Sequence, residues 1–146
     1  MQNKFNELYM DIAERVAQLS YAQRKKVGAV LVRDGNILAF GYNGTPSGFD
    51  NECETYVPII DQGDEIISVT KREVLHAESN AIAKVARSTE SAEGSSLYVT
   101  LSPCFECAKL IIQSGIKEVY FTEKYRDESA ITFLYENKIG VTQIEK

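Results

Sequence analysis

The sequence predicts an α/β protein: a three-layer α/β/α sandwich around a five-stranded mixed sheet. Two observations carry this. Short apolar runs alternate with longer segments of helical period, in the order α-β-β-α-β-α-β-α-β, which places helices on both faces of one sheet. And the 146 residues, 44% hydrophobic and 25% charged, have the composition of an ordinary globular domain large enough to bury a core, so residues 1–146 are expected to form a single domain.

Phe5, Leu8, Ile12, Val16 and Leu19 recur at spacings of 3 and 4, so residues 3 to 20 read as an amphipathic helix with one face on the sheet. The basic stretch Arg24-Lys25-Lys26 follows; it reads either as a solvated turn or as a small cationic site for a phosphate. Residues 27 to 33 are almost continuously apolar, as in a strand covered on both faces. Asp34-Gly35 then separates this run from a second one over residues 36 to 42, a hairpin signal.

Gly41 to Gly48 breaks regular structure, as turn formers or as a ligand-contacting loop leaving a central strand. Residues 49 to 73 hold seven acidic and two basic side chains with little periodicity, and read as a long structureless insertion of the kind that forms lids or binding loops. A helix is expected over 74–87, a loop over 88–96 and a strand over 97–101. The next helix is expected to begin with Ser102 as N-cap and Pro103 at its first position, and to end near Ser114-Gly115. A strand over 118–123, a helix over 128–138 and a strand over 141–144 complete the chain.

The chemistry-bearing residues fall in two short stretches 28 residues apart, His76-Ala77-Glu78 and Pro103-Cys104-Phe105-Glu106-Cys107. One imidazole and two thiols at i,i+3 are the three protein ligands of an open zinc site, whose remaining position is left for chemistry. Placed in the first turn of a helix, Cys104 and Cys107 share a face and feel the positive end of the helix dipole, which favours thiolate. Glu78 stands two positions beyond His76 and does not share its direction on a regular helix. That suits a proton carrier beside a metal-activated water, which zinc renders acidic near neutral pH. The competing reading is a closed zinc staple, but it needs a fourth ligand. Cys53 is the one other sulfur of the cysteines and is expected to be a free thiol. A staple also gives no reason for Glu78. H-x-E followed by P-C-x-x-C is, moreover, a signature of zinc nucleobase deaminases.

At this point the sequence resembles the zinc-dependent cytidine and deoxycytidylate deaminase superfamily, and within it the deoxycytidylate (dCMP) deaminases. The resemblance runs from Val27 to about Val141, through Val27-Gly28-Ala29-Val30, Gly41-Tyr42-Asn43-Gly44, His76 to Ile82, Ser102 to Lys109 and Leu110 to Val119. It implies hydrolysis of dCMP to dUMP and ammonia, with one catalytic zinc per subunit on His76, Cys104 and Cys107 and with Glu78 as proton shuttle. Asn43 matches the position that holds the substrate sugar, and Ser102 and Tyr125 are further candidates for substrate contact. Tyr42, Asn43, Gly44 and Thr45 are candidates for lining a regulatory site, since family members are often hexamers activated by dCTP and inhibited by dTTP, bound with Mg2+. Arg24, Lys25 and Lys26 are the candidates for the substrate phosphate.

Two rival readings are a tRNA or nucleic-acid deaminase of the same superfamily and a non-catalytic zinc module. The excess of 21 acidic over 16 basic side chains, a formal charge of −5, argues against gripping a polyanion. Glu78 argues against the module. Neither an 18-residue apolar run nor a signal-peptide core is present, and three cysteines with two in a C-x-x-C do not suggest a disulfide framework; a cytoplasmic enzyme with no membrane and no nucleic-acid partner is expected.

Overall fold

The computed structural model describes residues 4–60, 63 and 65–145. The expected architecture is present: a five-stranded sheet in the order β2-β1-β5-β6-β7, with helices on both faces. The strands are β1 (Gly28–Arg33), β2 (Asn36–Tyr42), β5 (Ser96–Leu101), β6 (Glu118–Glu123) and β7 (Gly140–Gln143). β1 runs antiparallel to both β2 and β5, whereas β5, β6 and β7 are parallel, so the sheet is mixed. The Asp34-Gly35 hairpin forms as expected, both residues at positive φ (52° and 77°), the signature of the tight turn that matches strand twist.

Helix α1 (Lys4–Ala17) covers one face alone, burying Tyr9, Met10 and Ala13 against Val30, Val32 and Tyr98. Helices α2 (Ala77–Ala86), α3 (Phe105–Gln113) and α4 (Ser129–Glu136) cover the other, over Ala29, Leu31, Leu97, Val99, Val119 and Phe121. Alternate residues of β1 thus feed separate cores, which is why the strand reads as a continuous apolar run.

The structure corrects the sequence reading in four places. The buried face of α1 is not Phe5-Leu8-Leu19, which are 55%, 48% and 45% exposed. It is centred on Ala13 and Ala17, because the helix lies directly on the strand backbone: a Cβ on Gly28 would sit 2.1 Å from the Ala13 carbonyl oxygen and 2.6 Å from the Ala17 nitrogen. Small residues win such a close approach over larger apolar ones. Second, the 49–73 segment is not structureless. It holds a separate antiparallel hairpin, β3 (Glu54–Pro58) with β4 (Ile66–Thr70), rich in the β-branched and aromatic residues that favour strands; residues 61, 62 and 64 of its tip lie outside the described residues. Third, α2 begins at Ala77 and not at Val74, since Leu75 is drawn into a backbone bridge with Gly44. Fourth, Cys104 and not Ser102 is the N-cap of α3, which leaves Pro103 ahead of the helix.

Candidate active site

Two helix starts converge. His76 is the N-cap of α2 and Cys104 that of α3, each with extended backbone (φ −77°, ψ 157° and φ −77°, ψ 170°) and neither using its side chain as a cap. Both side chains are therefore free to turn toward each other. His76 Nδ1 lies 3.3 Å from Cys104 Sγ and 3.4 Å from Cys107 Sγ, and the three donor atoms all fall within 4.8 Å of one another. Nitrogen and sulfur ligands on one tetrahedral zinc stand about 3.6 Å apart, so the donor set fits that ion. Among the described residues no fourth His, Cys, Asp or Glu joins the group. Cys53 is a free, buried thiol whose Sγ lies 3.8 Å from the Asn51 carbonyl.

The electrostatics follow from this crowding. The hydrogen bond from Cys107, with His76 beside it, holds the Cys104 thiol down at about 4, which favours its thiolate. Cys107, giving that hydrogen bond and buried, is pushed up. The contact with Cys104 raises His76. Glu78 is 4% exposed, in the first turn of α2; burial pushes its carboxyl up to about 7, against the lowering effects of its own backbone N–H and of His76.

A cavity of about 270 Å³ opens beside these residues and takes in His76, Glu78 and Cys104. The same wall carries Asn43, Ser102 and Tyr125, together with Arg24 and Lys25. Lys26, Tyr42, Gly44 and Thr45 are not part of the lining. Ser102 is buried and its Oγ accepts the Tyr125 N–H at 2.7 Å, fixing the loop after β6. Asn43 is a hub: its Oδ1 accepts the Val27 N–H at 2.9 Å, its Nδ2 donates to the Lys25 carbonyl at 2.7 Å, and its carbonyl accepts the Ser20 hydroxyl at 2.7 Å. Lys25 makes an ion pair with Glu123.

Sequence reasoning missed Glu54, Thr70, Val74 and Leu101 in the cavity wall. Glu54 is 7% exposed in a strand whose other residues are exposed, and was indistinguishable by sequence among the seven acids of its segment.

Fold and donor set together define the class of zinc-binding deaminases, and comparison with known proteins agrees. Residues 3–123 match the family described as the cytidine and deoxycytidylate deaminase zinc-binding region. The human deoxycytidylate deaminase is 40% identical over 140 residues, covering 93% of this chain and 76% of its own length. That of Enterobacteria phage T2 is 38% identical over 148 residues, covering 80% of this chain and 78% of its own. The crystal structure of dCMP deaminase from the cyanophage S-TIM5, in complex with dCMP and dUMP, superposes with a TM-score of 0.85 at 43% identity, covering 99% of both chains. The chain belongs to the cytidine and deoxycytidylate deaminase family.

Proposed function

We propose that this protein is a single-domain, zinc-dependent enzyme that hydrolyses dCMP to dUMP and ammonia. The observation that carries the reading is what one cavity brings together: His76 and Cys104 of the donor set with the buried Glu78, which we take as its metal end, and Arg24 and Lys25, which we take as its phosphate end. The first end suits a nucleobase to be deaminated and the second a single phosphate; the S-TIM5 relative binds dCMP and dUMP.

His76, Cys104 and Cys107 would hold the zinc, which when bound supplies the Lewis acidity that makes a water nucleophilic at neutral pH. Water adds to C4 of cytosine and the exocyclic amine leaves as ammonia. Glu78 takes the first proton from the water and passes it to N3 as the C4–O bond forms, then takes the C4 hydroxyl proton and passes it to the amine as the C4–N bond breaks and C4=O forms, so one carboxyl serves in two states. Its raised pKa suits that alternation, since a group that must both accept and donate works best near the operating pH. Asn43, whose amide holds the Val27 N–H and the Lys25 carbonyl, lines the cavity as the candidate for the sugar, and Ser102 and Tyr125 line it beside the donor set.

The test is a substrate panel of dCMP, dCTP, cytidine and tRNA, assayed by ammonia release. dCMP is expected to be turned over with the highest kcat/KM; equal rates on cytidine and dCMP would reject the monophosphate reading, and preference for tRNA the whole assignment. A hexameric, cytoplasmic enzyme activated by dCTP and inhibited by dTTP with Mg2+ extends the proposal. The Gly44–Leu75 bridge joins the 42–45 loop to the residue before His76, a path by which a nucleotide bound at that loop would act on the donor set. Rates and sizing with each triphosphate test this part separately.

A further inference from the structure

We propose that Glu54 is a positioning residue for the phosphate end of the cavity. It stands at the start of β3, in a part of the chain no catalytic motif touches, and its carboxylate is turned inward although the rest of that strand is exposed. A buried carboxylate is costly unless its acceptors are used. Glu54 Oε2 accepts two successive backbone N–H groups, from Gln23 at 3.0 Å and Arg24 at 3.2 Å. Asn43 ties down the far end of the same segment through Lys25 and Val27. The middle of the loop, where the Arg24 backbone turns past the cavity, is thus held by Glu54.

The two fastenings differ in what their loss exposes. Removing Asn43 disturbs the sugar contact, the loop and the start of β1 together. Removing Glu54 frees the Gln23 and Arg24 amides while the donor set, Glu78 and Asn43 stay in place. Arg24 would then wander, while Lys25 stays held by Asn43 and Glu123, and the anion would lose one partner while the base kept its own. Glu54 is in this sense a selector for a phosphorylated substrate that never touches the phosphate. The inference rests on the monophosphate reading given above.

The experiment measures kcat/KM for dCMP and for deoxycytidine in the wild type, in Glu54→Ala, Glu54→Asp and Glu54→Gln, and in the double variant Arg24→Ala/Lys25→Ala, with zinc content and circular dichroism confirming folded protein. Glu54→Ala is expected to lower kcat/KM for dCMP about tenfold, the order of one charge-assisted hydrogen bond. The change should fall on KM, with deoxycytidine unaffected. Glu54→Asp, whose carboxylate is one methylene short of the amides, should show the same selective loss in a milder background. Glu54→Gln, which keeps an acceptor oxygen, should restore most of the preference. Equal losses on both substrates, with the double variant still phosphate-selective in its loss, would overturn the role of Glu54 alone. A wild type that does not prefer dCMP, or a preference untouched in the double variant, would instead overturn the monophosphate reading beneath it.

Discussion

The two ends of the cavity are built on opposite plans. At the metal end, every functional group sits within three residues of a helix start, and two of them are the N-cap residues themselves. At the proposed phosphate end, Arg24 and Lys25 sit on an irregular segment fastened by side chains 16 to 31 positions away, Asn43 and Glu54. One end is specified locally and the other by long-range hydrogen bonds. The chemistry is therefore expected to be hard to perturb except at the reacting groups, and the substrate preference easy to perturb from a distance.

The sharpest way to break that contrast is at the donor set. Cys104→Ala, or removal of zinc by a chelator, is expected to abolish turnover, with restoration by added zinc in the wild type only; residual activity in the metal-free protein would contradict the site. Next comes Glu78→Gln, expected to lower kcat by about 10²–10⁴-fold, the range for loss of general acid–base catalysis, with zinc still bound in a metal assay. Arg24→Ala should act at the other end, raising KM for dCMP while leaving kcat close to wild type; a drop in kcat instead would show that the two ends are not separable.

The smallest effect is a pH dependence in the metal-free protein. The folded state holds the Glu78 proton up to about 7, above the unfolded carboxyl, so between roughly pH 4.5 and 7 the native state binds the extra proton. The contribution of Glu78 to stability then falls as pH rises through that window. Cys104 acts in the opposite sense: its thiolate is favoured in the fold, so its contribution is present at high pH and is lost as pH falls toward 4. Melting temperatures of metal-free wild type and Glu78→Gln should accordingly diverge between pH 5 and 7, with the variant lacking the downward component. Parallel curves would remove burial as the cause of the shift.

The same contrast explains what the sequence made readable. His76, Glu78, Cys104 and Cys107 were legible because their chemistry depends on spacing along helices, which is a property of neighbours in the chain. The strands 36–42 and 118–123 were read to the residue, since their bounds are set by Asp34-Gly35 and by a polar flank. Glu54 was not legible, because its burial depends on β3 folding back over residues 23 and 24. Nor was the hairpin of β3 and β4, whose two strands pair only with each other and bury little, leaving no alternation of apolar and polar residues to find. Ser102 was read as a helix cap from its place before a proline, when its hydroxyl is taken by the Tyr125 N–H from the loop after β6.

Two glycines of the first hairpin bear on how the family can drift. Gly41 in β2 faces α2 as Gly28 in β1 faces α1: a Cβ there would stand 2.5 Å from the Ala77 carbonyl oxygen and 2.6 Å from the Ala81 nitrogen. Ala77 is flanked by His76 and Glu78, so the reacting groups are gauged against the sheet by backbone meeting backbone. Side chains elsewhere in the core can then be exchanged for others of similar volume without moving the metal end. The fold has room for a changing interior around an unchanging reaction, provided that two positions carry no side chain at all.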